Sequence, residues 1–150
     1  MTTKYQGTPL EINALNAFIT QQRAANAVAT RLSQQLAELN LTPGQFGALE
    51  ALLHLGPLNQ SQLAKKLLST KGNITLIIDN LEKRNLVKRE VDTQDRRLTI
   101  VHLTAMGTAL IQRIFPDHVA AIVKIFSVLT PEELQVLQQL SKKLGLSLSR

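Results

Sequence analysis

The 150-residue chain contains no cysteine and no tryptophan. The missing thiols exclude disulfides, thiolate metal sites and thiol-based redox sensing, and they fit a reducing compartment. Aromatic residues are scarce, with four Phe and one Tyr, so a core must be built from Leu, Ile, Val and Ala. That supply favours helices packed on helices over a β-sandwich. No apolar run reaches the roughly 18 residues of a bilayer crossing, and no basic-then-apolar leader opens the chain. A cytoplasmic protein without a membrane partner is the expectation. No HExxH, Ser/His/Asp order, phosphate-cradling glycine loop or paired-carboxylate motif stands out, so no catalytic residue is assigned and an enzyme is not expected.

The net charge of +6 is unevenly placed. Residues 1–58 hold three basic and three acidic side chains, residues 59–104 nine and five, and residues 105–150 five and three. A basic stretch is often only a solvated face. Here the excess coincides with elements sized for a duplex groove, which points to nucleic acid.

Helix starts are strongly marked. Thr8-Pro9-Leu10-Glu11, Thr42-Pro43-Gly44-Gln45 and Thr130-Pro131-Glu132-Glu133 share one template. Thr caps, Pro occupies the first turn where its missing N–H costs nothing, and Glu or Gln reaches back to the cap. The first helix is expected to run to about Asn40, with Leu15, Phe18, Val28, Leu32, Leu36 and Leu39 in one stripe. A second ends at Gly56-Pro57. Asn59 caps a third that buries Leu63, Ala64 and Leu67. Ser69 or Thr70 caps a fourth, in which Ile74, Ile77, Ile78 and Leu81 follow the i, i+3, i+4, i+7 rule.

Two alternating runs, Val87 to Val91 and Leu98 to Leu103, flank the turn residues Asp92 to Arg97 and predict a hairpin. Thr104 then caps a long helix interrupted at Pro116, where a kink is expected, and a last helix from Pro131 fades at Gly145. No repeat or linker divides the chain. The expected fold is mainly α with a small β-hairpin, a winged helix-turn-helix with long N- and C-terminal dimerisation helices. It forms a single domain over 1–150, with a DNA-binding part at about 42–104 and a dimerisation part at about 8–40 and 105–146. Leu15, Phe18, Val28, Val119, Ile122, Val123, Phe126, Leu134, Leu137 and Leu140 offer more apolar surface than one winged helix can cover. An intramolecular helical core is the plain reading, and a homodimer of interlocked end helices is the favoured one. Two-fold symmetry would set the two recognition helices roughly 34–36 Å apart.

In such a layout one helix enters the major groove while the hairpin reaches the neighbouring minor groove. At about 100° per residue, the fourth helix turns Gly72, Leu76, Asp79 and Lys83 outward, flanked by Asn73, Thr75 and Asn80. Its first turn, Ser69-Thr70-Lys71-Gly72-Asn73, is small, polar and basic, and its open N–H groups favour a phosphate. Gly72 signals either close backbone approach or merely a loose helix start. Leu76 suits thymine methyl groups and Asn73 suits adenine. Lys71 suits guanine or a phosphate. In the hairpin, Asp95 can hold one guanidinium of Arg96-Arg97 in place before it enters a minor groove, with the other Arg facing phosphate. A solvated ion pair is the bland alternative. Lys83, Arg84, Lys88 and Arg89 lie where helix meets hairpin and are candidate backbone contacts.

Taken together, LTPGQFGALEAL, QSQLAKKLLSTKGNITLIIDNLEKRNLVKRE and DTQDRRLTIVHLTAMG resemble the MarR family of bacterial transcriptional regulators. The resemblance spans essentially the whole chain. It implies a triangular homodimer on a pseudo-palindromic operator in double-stranded DNA, usually as a repressor. Small phenolic or otherwise lipophilic ligands would loosen binding from a crevice between the dimer and DNA-binding parts, expected near the first, second and fifth helices. Its lining residues are not identified by sequence. Ser69, Thr70, Lys71, Asn73 and Thr75 fall on the family's base-reading turn, Arg97 on its minor-groove arginine and Asp95 on the carboxylate that orients it. The family's usual GLV is Asn85-Leu86-Val87 here, and Asn tolerates the left-handed cap almost as Gly does. Without cysteine, the peroxide-sensing branch is excluded. His54, His102 and His118 stand far apart, so neither a metal nor a cofactor is expected. The rival reading is a winged-helix protein-interaction module without specific DNA binding.

Overall fold

The computed structural model describes residues 3–149. Its elements are α1 (Pro9–Ala37), α2 (Pro43–Leu55), β1 (Leu58–Asn59), α3 (Gln60–Lys66), α4 (Lys71–Lys83), β2 (Val87–Val91), β3 (Thr99–Leu103), α5 (Ala105–Phe126) and α6 (Pro131–Ser147). The chain divides into two compact units, Met1–Phe115 and Pro116–Arg150.

All three Thr-Pro starts form complete capping boxes. Thr8 accepts from the Glu11 N–H at 3.3 Å while Glu11 accepts from the Thr8 N–H at 2.7 Å. Thr42 with Gln45 and Thr130 with Glu133 repeat the exchange. Asn59 and Gln62 add a fourth box, at 2.8 and 3.0 Å, at the start of α3. At α4 the cap is Thr70, accepting from the Asn73 N–H at 3.2 Å. Each such cap contributes on the order of 1 kcal/mol.

The ends of α1, α3 and α4 share one device. Asn40, Leu68 and Asn85 adopt φ of 54°, 50° and 58°. The next N–H then bonds to the carbonyl five residues back: Leu41 to Leu36, Ser69 to Ala64, Leu86 to Leu81. This left-handed cap satisfies helix-end carbonyls and tucks Leu41 and Leu86 into the core, where they are 3% and 4% exposed. It also ends α1 at Ala37, short of the expected Asn40, and α4 at Lys83.

The N-terminal unit holds the buried core, in which Leu49, Leu52, Leu63, Ile74, Ile78, Leu81, Val101 and Ile111 interlock. The predicted inward face of α4 is the observed one. The sheet has three strands in the order β1-β3-β2, all antiparallel, with Val87 opposite Leu103 and Val91 opposite Thr99. The expected hairpin is therefore widened by β1, where Leu58 pairs Val101 and Asn59 pairs Ile100. Two residues are too few to show an alternation, which is why the strand was not legible. The helix expected to be interrupted at Pro116 is continuous through it.

In the C-terminal unit, the second half of α5 and α6 enclose an apolar groove of about 420 Å³ that includes Ile122, Phe126, Leu129 and Leu134. No residue of α6 is buried. Val136, Leu137, Leu140 and Leu144 stay open, as do Leu10 and Phe18 on α1. Among the described residues, no single helix is long and apolar enough to cross a membrane.

Among the described glycines, Gly107 in the first turn of α5 is the one whose added Cβ would press hardest on backbone. A Cβ built there would clash with the Leu86 carbonyl oxygen, a backbone atom that cannot swing aside. Thr104 fastens the same junction, its hydroxyl donating to the Asn85 carbonyl and accepting from the Gly107 N–H. Gly107→Ala should therefore destabilise the protein by about 2 kcal/mol despite the better helix propensity of Ala. A thermal melt at or above that of the parent chain would show that this approach is not tight.

Candidate nucleic-acid interface

The recognition turn is built by local hydrogen bonds. With Thr70 as cap, the Asn73 amide donates to the Ser69 hydroxyl at 2.8 Å, and the Thr75 hydroxyl donates to the Lys71 carbonyl at 2.9 Å. Gln60 of α3 donates to the Thr75 hydroxyl at 3.1 Å, tying the two helices of the motif together. Thr70, Lys71, Gly72, Asn73, Thr75 and Leu76 are all exposed, and Ser69 is half-buried. Leu76 keeps 59% of its surface open. A Cβ at Gly72 would meet no atom within 4 Å, so nothing inside the fold requires glycine there.

The wing tip is a folded turn rather than a loose loop. Asp92 accepts from the Gln94 N–H and Asp95 from the Arg97 N–H, at 2.9 and 3.1 Å. The Asp95 carboxylate also takes two bonds from the Arg97 guanidinium, Nε to Oδ1 at 3.0 Å and Nη2 to Oδ2 at 3.2 Å. These side-chain bonds, with the backbone N–H second, hold the Asp95 carboxyl below its ordinary value. Because the folded-state value is lowered, the pair is intact at neutral pH and is lost only as the pH falls through that lowered value. Arg97 remains 90% exposed while its head is fixed at two points. Arg96 is exposed beside it.

Lys71, Thr75 and Arg97 line one groove of about 310 Å³ together with Asn59 and Ser61 of the α3 start. The structure thus brings the recognition turn and the wing tip to a common face. It does not bring Lys83 and Arg84 there. Twelve residues along α4 separate Lys71 from Lys83, roughly 18 Å at 1.5 Å per residue. Arg84 also gives one N–H to the Asn40 carbonyl at 2.6 Å.

Two expectations change at Arg89 and Asp79. Instead of pointing to solvent, Arg89 turns inward and joins three elements. Its Nη2 meets Asp79 Oδ1 at 2.6 Å, its Nη1 meets Glu82 Oε1 at 3.2 Å, and its Nε meets Gln60 Oε1 at 3.1 Å. Its backbone N–H donates to Glu82 as well. Asp79, expected to face directly outward, is half-buried by this contact. Strand alternation carries the missed signal: Arg89 lies on the same face as the buried Val87, opposite carboxylates spaced i, i+3 on α4. Lys88 is paired with Glu90 at 2.8 Å.

Comparison with known proteins agrees with this geometry. Residues 41–99 match the MarR family. The HTH-type transcriptional regulator MhqR of Bacillus subtilis (strain 168) is 34% identical over 134 residues, 89% of this chain and 92% of its own. The chain belongs to the MarR family. Among solved structures, the MarR family transcriptional regulator AbsC from Streptomyces coelicolor superposes with a TM-score of 0.85 at 25% identity, covering 98% of this chain and 99% of its own. BpsR of Bordetella bronchiseptica, whose DNA binding is regulated by 6-hydroxynicotinic acid, gives 0.79 at 26% identity, with 86% and 98% covered. This MarR protein is a DNA-binding transcriptional regulator with a winged helix-turn-helix.

Within this MarR fold, Arg89 is the strut that holds the wing to the recognition helix. Arg89→Met keeps most of the side-chain volume but leaves two half-buried carboxylates without their partner. The expected cost is about 1–3 kcal/mol, with faster amide exchange in the β2–β3 hairpin than in α2. An unchanged melt and unchanged hairpin exchange would remove Arg89 from this role.

Proposed function

We propose that the protein is a homodimeric repressor that binds a pseudo-palindromic operator and is released by a small aromatic or lipophilic effector. It acts in the cytoplasm and carries no catalytic activity. The single observation that carries the DNA-reading half is the two-point Asp95–Arg97 pair on an exposed wing tip, sharing a groove with Lys71 and Thr75. A guanidinium already oriented loses less rotamer freedom on entering a narrow groove.

In this reading the first turn of α4 enters the major groove. Ser69, Thr70 and Lys71 contact the backbone or the first base edges, while Asn73, Thr75 and Leu76 face the bases. Gly72 lets the helix backbone approach closely. Arg97 enters the minor groove under the hold of Asp95, and Arg96 faces phosphate. Lys83 and Arg84 serve outer phosphates, away from the central contact. The open apolar residues of α1 and α6 support the homodimer, since Phe18, Val136, Leu140 and Leu144 otherwise remain in water. Ligand control of DNA binding in BpsR supports the effector.

Arg97→Ala should weaken operator binding at least tenfold, about 1.4 kcal/mol or more, with an unchanged thermal melt. Gly72→Ala should raise the melting temperature, by about 0.5–1 kcal/mol of added stability, and yet weaken operator binding. Fluorescence anisotropy and a thermal melt on the same samples read both effects. Matched affinity for Arg97→Ala and the parent chain would exclude the wing from DNA reading.

A further inference from the structure

We infer that Gln60 fixes the Thr75 hydroxyl as a hydrogen-bond acceptor towards DNA, so that Thr75 selects a base with an exocyclic amine, adenine or cytosine. The inference deepens the DNA-reading proposal above and rests on it. Four groups stand in one chain of hydrogen bonds. Arg89 Nε donates to Gln60 Oε1 at 3.1 Å, and Gln60 Nε2 donates to the Thr75 hydroxyl at 3.1 Å. That hydroxyl donates to the Lys71 carbonyl at 2.9 Å.

The direction of every bond is forced. A guanidinium has no acceptor, so the carbonyl end of the Gln60 amide must face Arg89 and its amine end must face Thr75. A backbone carbonyl has no donor, so the hydroxyl proton goes to Lys71. Arg89 is itself held by Asp79 and Glu82, at 2.6 and 3.2 Å, and the chain cannot reverse from its start. Arg89 Nη2 also donates to the Thr75 carbonyl at 3.4 Å, which ties down the backbone of the same residue.

A hydroxyl oxygen carries one proton and two lone pairs. At Thr75 the proton is taken by Lys71 and one lone pair by Gln60. What remains for a partner outside the fold is a lone pair, on an exposed side chain that lines the groove with Lys71 and Arg97. In the major groove adenine and cytosine offer amine donors, while guanine and thymine offer carbonyl acceptors. A carbonyl there would meet a lone pair unless the hydroxyl gave up its bond to Lys71. Gln60 supplies position as well: a helical threonine has two χ1 wells, and the bond from α3 holds the oxygen in one of them. Gln60, half-buried at the first position of α3, is thus a positioning residue that acts through Thr75.

A duplex selected by the parent chain from random-sequence DNA would be rebuilt with one base analogue at a time, and affinity read by fluorescence anisotropy. Purine for adenine and 2-pyrimidinone for cytosine delete only the amine. 2-Aminopurine for guanine and 5-methyl-2-pyrimidinone for thymine delete only the major-groove carbonyl. In the parent, one amine deletion in each half-site should cost about fivefold, the worth of one hydrogen bond. Thr75→Val keeps the shape, and should be indifferent to that deletion while responding to the others as the parent does. Gln60→Ala should cut the same penalty below about twofold, and should add nothing once Thr75 is Val. A general loss of stability in Gln60→Ala would weaken every duplex alike and leave that ratio unmoved. Indifference of Thr75→Val to a carbonyl deletion instead would overturn the inference, because the hydroxyl would then be a donor. The parent's full penalty in Gln60→Ala would overturn the hold by Gln60. Selection of no preferred sequence would overturn the DNA-reading proposal, and this inference with it.

Discussion

The ion pairs of Arg89 tie the wing to α4, the two parts of the protein proposed to meet DNA. A recognition helix and a wing can read adjacent grooves only if their separation is fixed to within about an ångström before they arrive. Backbone hydrogen bonds hold β2 to β3, and buried Val87 and Val101 pack the sheet on Ile78 and Leu81 of α4. Arg89 adds a polar tie to that packing by engaging Asp79 and Glu82 on α4 and Gln60 on α3 from a single strand position. Gln60 continues the connection to the Thr75 hydroxyl on the face of α4 that lines the groove with Arg97. One half-buried side chain thus couples helix, helix and hairpin.

Around this strut the chain uses small, local devices. Capping boxes start four helices, and left-handed caps end three. Gly107 and Thr104 bring α5 against Leu86, the residue before β2. Leu68 is the costly member of the set, a non-Gly residue at φ 50° with 95% of its surface in water. Its conformation is what lets Ser69 bond back to Ala64 and deliver Thr70 as the cap of α4. The turn of the helix-turn-helix therefore carries strain of order 1 kcal/mol in exchange for a tight entry into the recognition helix.

Much of the fold could be read from the residues because its signals are short-range. The Thr-Pro starts, the Ile74-Ile77-Ile78-Leu81 face and the alternation of Val87 to Val91 each lie within a few positions. That Asp95 holds one of the two wing arginines was legible for the same reason, while its being Arg97 followed only from the family resemblance. Three things were not. Strand β1 is two residues long and exists only because β3 offers it an edge. The inward turn of Arg89 depends on partners seven to 29 positions away. Gly107 is dictated by an approach to Leu86 that no local pattern encodes. Charge type alone suggested that Lys83, Arg84, Lys88 and Arg89 act alike. The structure separates them into an exposed Lys83, a tether to Asn40, a partner of Glu90 and an internal strut.

The central claim is that α4 and the wing form one pre-set surface for a particular DNA sequence. Anisotropy titrations with labelled DNA from upstream of the protein's own gene, beside shuffled DNA of equal length and at two salt concentrations, test it most directly. The account predicts tight binding to the native sequence that weakens steeply with salt, and much weaker binding to the shuffled one. Equal, weak binding to both would contradict it.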